Sequence, residues 1–195
     1  LDPSTLRNLE IFQSARGSRE GSLIESIDRT ATAAGARKLE DYLASPPLDL
    51  KELQRRQNCV EEFLESPGLM AEFAETLRLT RDIKRILSRL QNRIRNPREI
   101  GGIRDTLNAL PALKAILLQF NGDNIQALVD RLGDFSNLQS LLDRAVNEEL
   151  PSKIEEGGYI KDGYDEELDR MRDLMRNNKT WISDLEAREK EATGI

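Results

Sequence analysis

The sequence predicts an all-α fold, an irregular multi-helix bundle with one long protruding C-terminal helix and a short loop or hairpin before it. Charged residues make up 33% of the 195 residues and aromatic residues only 5%, a composition typical of long helices with solvated faces. Apolar residues recur at three- and four-residue spacing through most of the chain, as amphipathic helices require. Residues 165–192 contain neither glycine nor proline, so one helix of about 42 Å can form there.

The sequence of the first third of the chain predicts three short helices and then a longer one that begins at Asp49, each with a recognisable start. Side chains that cap a helix by accepting a backbone N–H hydrogen bond precede each apolar segment. These residues are Asp2 before Pro3, Ser22 with Glu25, Thr32, and Asp49. Prolines after Ser45 and Ser66 mark the ends of two of these helices, because proline cannot continue the hydrogen-bond ladder.

The middle of the chain predicts five further helices. One begins at Pro67, and a second covers residues 81–95 with an apolar stripe at helical spacing. The stripe consists of Ile83, Ile86, Leu87, Leu90 and Ile94. Asn96 and Pro97 begin a third helix, which Pro111 is expected to break or kink. Residues 123–132 and 135–146 supply two more.

The C-terminal part predicts a non-helical segment and then the dominant helix. Pro151, Gly157, Gly158 and Gly163 interrupt residues 150–163, which favours an extended hairpin or an ordered loop. We therefore divide the chain into a helical base, residues 1–164, and a long helix, residues 165–195. Apolar side chains lie on one stripe of that helix, and we expect the chain itself to cover this stripe only partly. The outer part of the stripe is a candidate interdomain or self-association surface: Met175, Trp181, Ile182 and Leu185.

Several kinds of chemistry are unsupported by the sequence. The chain has no histidine, which removes the commonest general base and metal ligand, and no glycine-rich phosphate-binding motif is present. We expect no catalytic, cofactor-binding or metal-binding residue here, and no binding of ATP. The longest apolar run, Ala115 to Leu118, is too short to cross a membrane. Cys59 is alone, so a reducing compartment such as the cytoplasm is expected.

A basic stretch is the one candidate nucleic-acid surface. Although the net charge is −6, residues 78–104 carry nine basic residues against only Asp82 and Glu99. Four arginines follow one another at four-residue spacing and are predicted to share one helix face: Arg81, Arg85, Arg89 and Arg93. Such a face can contact DNA phosphates, but no aromatic residue is interleaved to stack on bases. The alternative is that these arginines pair with acidic residues on neighbouring helices.

Five segments together resemble the helical core of the MutS family of DNA mismatch repair proteins. The first is GSLIESIDRTATAAG at residues 21–35, followed by Leu39 and Leu43. The others, in the same order as in the family, are residues 82–89 with 95–98, residues 110–114, residues 156–169 and residues 186–195. Each segment alone is weakly specific, but the ordered set covers nearly the whole chain.

The resemblance implies a function that this chain carries out as part of a larger protein. The parent would bind mismatched DNA as a homodimer and hydrolyse ATP with Mg²⁺ in a separate ATPase domain. This core would then be the lever between that ATPase domain and a DNA clamp, beside a connector domain. The first and last residues of the chain favour a segment excised from such a parent. The alternative is a free-standing helical domain that binds nucleic acid or other proteins.

Two Phe-x-Glu sequences invite comparison with the mismatch-reading motif of the family. They begin at Phe63 and Phe73. Both lie on predicted amphipathic helices, whereas the family's motif belongs to an earlier domain. We therefore expect both phenylalanines to be core residues.

Overall fold

The computed structural model describes residues 1–93 and 96–193, except for the side chains of residues 179, 180, 183, 184, 192 and 193. The predicted all-α class is confirmed, since the described residues form α-helices and no strand. The helices are α1 Pro3–Asn8, α2 Leu23–Ile27, α3 Ala33–Ala44, α4 Leu50–Leu64, α5 Pro67–Leu77, α6 Ile83–Gln91, α7 Pro97–Leu117, α8 Asp123–Asp130, α9 Ser136–Ala145 and α10 Glu166–Thr193. The predicted roles of Ile94, Arg95, Gly194 and Ile195 lie outside the described residues.

Helix starts in the first third of the chain are where the sequence predicts them. The side chains of Asp2 and Thr32 each accept a backbone N–H three residues later, at 2.9 and 3.0 Å. Asp49 accepts from the N–H of Lys51 at 2.9 Å. Ser22 accepts from the N–H of Glu25 at 3.4 Å, while the Glu25 carboxylate accepts from Gly21 rather than from Ser22. These bonds satisfy donors that a helix start leaves without a partner.

Helix α7 is the central element of the base, and α5, α6, α8 and α9 all pack against it. Pro111 was expected to break or kink this helix. The prediction of a break is wrong, because α7 continues through Pro111 to Leu117. Pro111 lies on the exposed side, while Leu107 and Leu113 on the same helix are buried. Packing of the buried face on both sides of the proline holds the two halves in one helix, despite the missing N–H.

The main apolar cluster lies where the C-terminal end of α7 meets α8. Its buried members are Ile116, Leu117, Phe120, Ile125 and Val129, and partly buried side chains from α4 and α5 pack against them. The ring of Phe63 lies 5.0 Å from that of Phe120 and 5.6 Å from that of Phe73, centroid to centroid. Both Phe-x-Glu phenylalanines are therefore core residues, as predicted. Cys59 packs on the same cluster, and burial raises the pKa of its thiol.

A carboxylate on α4 caps α8 from outside the helix. Gly122 precedes α8 and offers no capping side chain. Glu62 takes this role, accepting the backbone N–H of Asn124 at 3.1 Å, the N–H of Ile125 at 2.8 Å and the Asn124 amide at 2.6 Å. A Cβ at position 122 would collide with Glu62. This contact ties the two helices together at the edge of the core.

The segment between α9 and α10 is an ordered loop, one of the two forms predicted. It contains a short 3-10 turn, Ile154–Glu156, and one isolated antiparallel bridge between Val146 and Ile160. Two arginines of α7 hold its first part by bonding to carbonyl oxygens. Arg104 reaches those of Val146 and Asn147, at 3.3 and 2.6 Å, and Arg98 reaches that of Leu150 at 3.0 Å.

Candidate interaction surfaces

The predicted face of four arginines contains fewer of them than their four-residue spacing suggested. Helix α6 begins at Ile83, because the Asp82 side chain accepts the N–H of Arg85 at 3.2 Å and caps it. Arg81 precedes the helix, and Arg93 follows it with a φ of 59° in the left-handed region. The prediction that all four share one helix face is therefore wrong at both ends, and only Arg85 and Arg89 lie on α6.

The backbone N–H of Arg81 is hydrogen-bonded to a residue of α7. Its N–H donates to the Thr106 hydroxyl at 2.8 Å, and that hydroxyl donates to the Gly102 carbonyl at 2.7 Å. A Cβ at Gly102 would lie 3.2 Å from the Arg81 side chain, so Arg81 runs closely over the surface of α7. The position of this arginine is set by helix packing.

Arg89 is held by an acidic residue of α7. Its guanidinium lies 2.8 Å from Glu99, whose side chain is only 10% exposed. The second carboxylate oxygen of Glu99 is buried and has no hydrogen-bond partner. Loss of Arg89 would leave this carboxylate uncompensated, which is costly in a buried position. For Arg89 the pairing alternative is therefore realised.

Besides Arg81, which is itself exposed, three cations on or next to α6 are available to solvent. Lys84, Arg85 and Arg93 are exposed, and none forms an ion pair with a described residue. Asp82, the nearby acid, is paired with Arg37 of α3. The surface formed by these three side chains, called here the basic surface, therefore keeps a positive charge, although it is smaller than predicted.

The apolar stripe of α10 is exposed, as expected. Met175 and Trp181 are 64% and 65% exposed, and Ile182 and Leu185 are 58% and 42% exposed. On the other face Glu186 and Lys190 form an ion pair at 3.5 Å. The stripe is a large apolar area on a charged helix, and such areas commonly mark contact surfaces. The role of the stripe as a contact surface stays a prediction.

No metal-binding cluster occurs among the described residues, where three or more of His, Cys, Asp and Glu nowhere come together. Within the same residues, no helix has both the length and the apolar character needed to cross a bilayer. Two of the surfaces that the described residues offer are the basic surface and the α10 stripe.

The sequence reasoning missed residues that act over long chain separations. Glu62, Arg104 and Arg172 each bind backbone groups far away in sequence. Periodicity and capping rules detect neighbours within one helix, so they carry no signal for such contacts. The only hint was that Gly122 precedes a helix without offering a capping side chain.

Comparison with known proteins finds one consistent group of relatives. Residues 4–193 match the family model described as MutS domain III. The chain is 37% identical to the DNA mismatch repair protein MutS of Symbiobacterium thermophilum over 196 residues, which are 100% of this chain and 22% of that protein. It is 39% identical to that of Listeria welshimeri over 202 residues, covering 100% of this chain and 23% of the relative. For Streptococcus thermophilus the values are 37% over 193 residues, with 98% and 23% covered. The chain thus spans less than a quarter of the length of these relatives.

Proposed function

The chain belongs to the MutS family of DNA mismatch repair proteins, and we propose that it is the core and lever domain of a longer protein of that family. Residues 1–164 would form the base, and residues 165–195 the arm that leads toward a DNA clamp. An ATPase domain of the same protein, with its ATP and Mg²⁺, would act on the base. The arm would transmit the resulting movement of the base to mismatched DNA. The longer protein would do this as a homodimer in the cytoplasm.

The observation that carries this proposal is the shape of α10. It is one uninterrupted helix of 28 residues, about 42 Å long at 1.5 Å per residue. It is anchored at its start, while the stripe beyond Leu174 is exposed. A stiff helix fixed at one end can convert a small rotation of the base into a large displacement of its far end. The exposed stripe would pack against another segment of the parent, such as a helix returning from the clamp.

Breaking the stiffness of α10 tests the proposal directly. Asn178 is exposed near the middle of the helix, and proline there costs about 3 kcal/mol and kinks it. In the longer protein, Asn178→Pro should leave ATP hydrolysis and nucleotide-free binding to mismatched DNA near normal. The effect of ATP on that DNA binding should be lost. The two activities are measured by steady-state hydrolysis and by fluorescence anisotropy of a labelled mismatched duplex.

The matched control uses the same position. Asn178→Ala favours the helix and should keep the full response to ATP. Asn178→Gly softens the helix without forcing a kink, and an intermediate response is expected. If Asn178→Pro responds to ATP as the unmodified protein does, a rigid α10 is not the coupling element and the lever proposal is wrong.

The basic surface favours a second, weaker activity, direct contact with DNA phosphates. Lys84 and Arg85 are exposed and form no ion pair with a described residue, but no aromatic residue accompanies them in the sequence, so contact would be sequence-independent. We expect the chain to bind duplex DNA weakly, without preference for a mismatch, and to lose binding steeply as salt is added. Arg89 is unsuitable for testing this contact, because it also forms an ion pair with the buried carboxylate of Glu99.

Charge reversal on the basic surface measures this contribution. Lys84→Glu with Arg85→Glu should abolish the weak binding, measured by anisotropy at low salt. Lys51→Glu with Arg131→Glu changes the net charge equally at exposed positions on α4 and after α8, and it should retain binding. Equal loss in both pairs would mean that net charge alone matters. Retention in both would mean that the contact lies elsewhere.

A further inference from the structure

The start of α10 rests on the base mainly through one arginine. Arg172 donates to the carbonyl oxygen of Ile160 at 3.0 Å, to Asp162 at 2.8 Å and to Asp169 at 3.3 Å. Its side chain is only 20% exposed, whereas that of Asp162 is 70% exposed. Arg176, one turn later, approaches the same aspartate at 3.7 Å. One guanidinium thus joins α10 to a backbone group and a carboxylate of the preceding loop.

Apolar packing contributes little at this junction. Met171 and Leu174, which lie within one turn of Arg172, are both more than half exposed. Only Leu168 of the stripe is half-buried at the start of the helix. Since non-directional packing is weak here, directional bonds restrain the angle of α10, and Arg172 makes two of them to the preceding loop.

The backbone that Arg172 binds is itself fixed to the base. Ile160 forms the antiparallel bridge with Val146, and the neighbouring N–H of Lys161 donates to the Ala145 carbonyl at 2.9 Å. Arg104 of α7 holds the Val146 and Asn147 carbonyls from the other side. A continuous series of bonds therefore leads from α7, through this bridge, to Arg172 on α10.

A glycine lies between this fixed backbone and the helix. Gly163 has a φ of +82°, a conformation that favours glycine. Its N–H donates to the Asp169 carboxylate at 2.7 Å, and that carboxylate also contacts Arg172. A Cβ at Gly163 would meet no atom within 4 Å, so glycine is favoured here by its positive φ and not by lack of space.

From this geometry we propose that Arg172 is the positioning residue that sets the direction in which α10 leaves the base, with Gly163 as the pivot. A role of Arg172 in a lever rests on the proposed function, but its restraint on the direction of α10 does not. With Arg172 intact, α10 has one direction. Without it, the helix remains folded and rotates about Gly163.

Distance measurements between the base and α10 test the restraint in this chain. Nitroxide labels are attached at Ser140→Cys on α9 and Asn178→Cys on α10, both exposed positions, in a Cys59→Ala background. Double electron–electron resonance should give one narrow distance peak. Arg172→Ala should replace that peak with a broad distribution, while helix content by circular dichroism is unchanged. Asp162→Asn should broaden it less, because the bond to the Ile160 carbonyl remains.

Two controls make the outcome decisive. Arg170→Ala removes an equally charged side chain from the same helix, one that is exposed and has no hydrogen bond or ion pair with a described residue of the base, and it should keep the narrow peak. Arg172→Lys retains the charge but not the forked donor geometry, and it should restore the peak only partly. An unchanged peak in Arg172→Ala, or equal broadening in Arg170→Ala, would overturn the assignment. Because the chain is measured without ATP or DNA, either result is independent of the Asn178→Pro test.

Discussion

Replacing Glu62 with alanine is expected to destabilise the chain by about 3 kcal/mol, since it removes several charge-assisted hydrogen bonds at once. The carboxylate accepts the N–H groups of Asn124 and Ile125 and the Asn124 amide. Without it the first turn of α8 has no side-chain cap, because Gly122 offers none. The loss occurs beside Ile125, which is fully buried. Urea unfolding followed by circular dichroism measures the change.

The same contact predicts a pH dependence. Partial burial by itself raises the pKa of Glu62, but the hydrogen bonds from the Asn124 side chain and from the backbone of Ile125 and Asn124 outweigh it. The net pKa lies below its ordinary value of 4.5. A carboxyl with a lowered folded-state pKa stabilises fully above its unfolded-state value and loses this effect as the pH falls through the folded value. The stability difference between the unmodified chain and Glu62→Gln should therefore shrink as the pH falls below about 4.5.

A neighbouring glutamate provides the control for Glu62. Glu61 is exposed on the same helix, and its side chain makes no hydrogen bond or ion pair with a described residue. Glu61→Ala should change the stability by less than about 0.5 kcal/mol. Gly122→Ala should be harmful as well, because the new methyl group collides with Glu62. If Glu62→Ala costs no more than Glu61→Ala, the cap does not contribute to stability.

Local sequence signals predicted the helices and the family. Asp2, Thr32 and Asp49 cap helices where expected, because a cap depends on residues within one turn of each other. The MutS resemblance is confirmed by the match over residues 4–193. The exposed stripe of α10 also followed from spacing alone, since the stripe is a property of a single helix.

Some failures concern competition between local signals, and others concern contacts between distant parts of the chain. Four-residue spacing placed Arg81 and Arg93 on α6, but the competing cap at Asp82 moved the helix start past Arg81. Pro111 was expected to break or kink α7, but the helix runs through it without a break. Glu62 and Arg172 bind partners that only the fold brings near. No local rule could have assigned their roles.

Substitution of two isoleucines compares how much the core of the base and the exposed stripe contribute to stability. Ile116 on α7 is 4% exposed and belongs to the apolar cluster, whereas Ile182 on α10 is 58% exposed. In this chain, Ile116→Ala should cost about 3 kcal/mol through lost burial and a cavity. Ile182→Ala should change the stability by less than about 0.5 kcal/mol. Both are changes of isoleucine to alanine within a helix, so helix propensity affects them equally, and urea unfolding compares them directly.

The outcome for Ile182 depends on what covers the stripe. If another segment of the longer protein packs on it, Ile182→Ala should there weaken the local stability of α10 by about 2 kcal/mol, the scale of one buried aliphatic side chain. Amide hydrogen exchange in α10 measures this local stability without requiring two-state unfolding of a multidomain protein. A large cost in the isolated chain that grows with protein concentration would instead mean that a second copy covers the stripe. A large cost independent of concentration would mean that the chain buries Ile182 itself, which would contradict the exposure of the stripe.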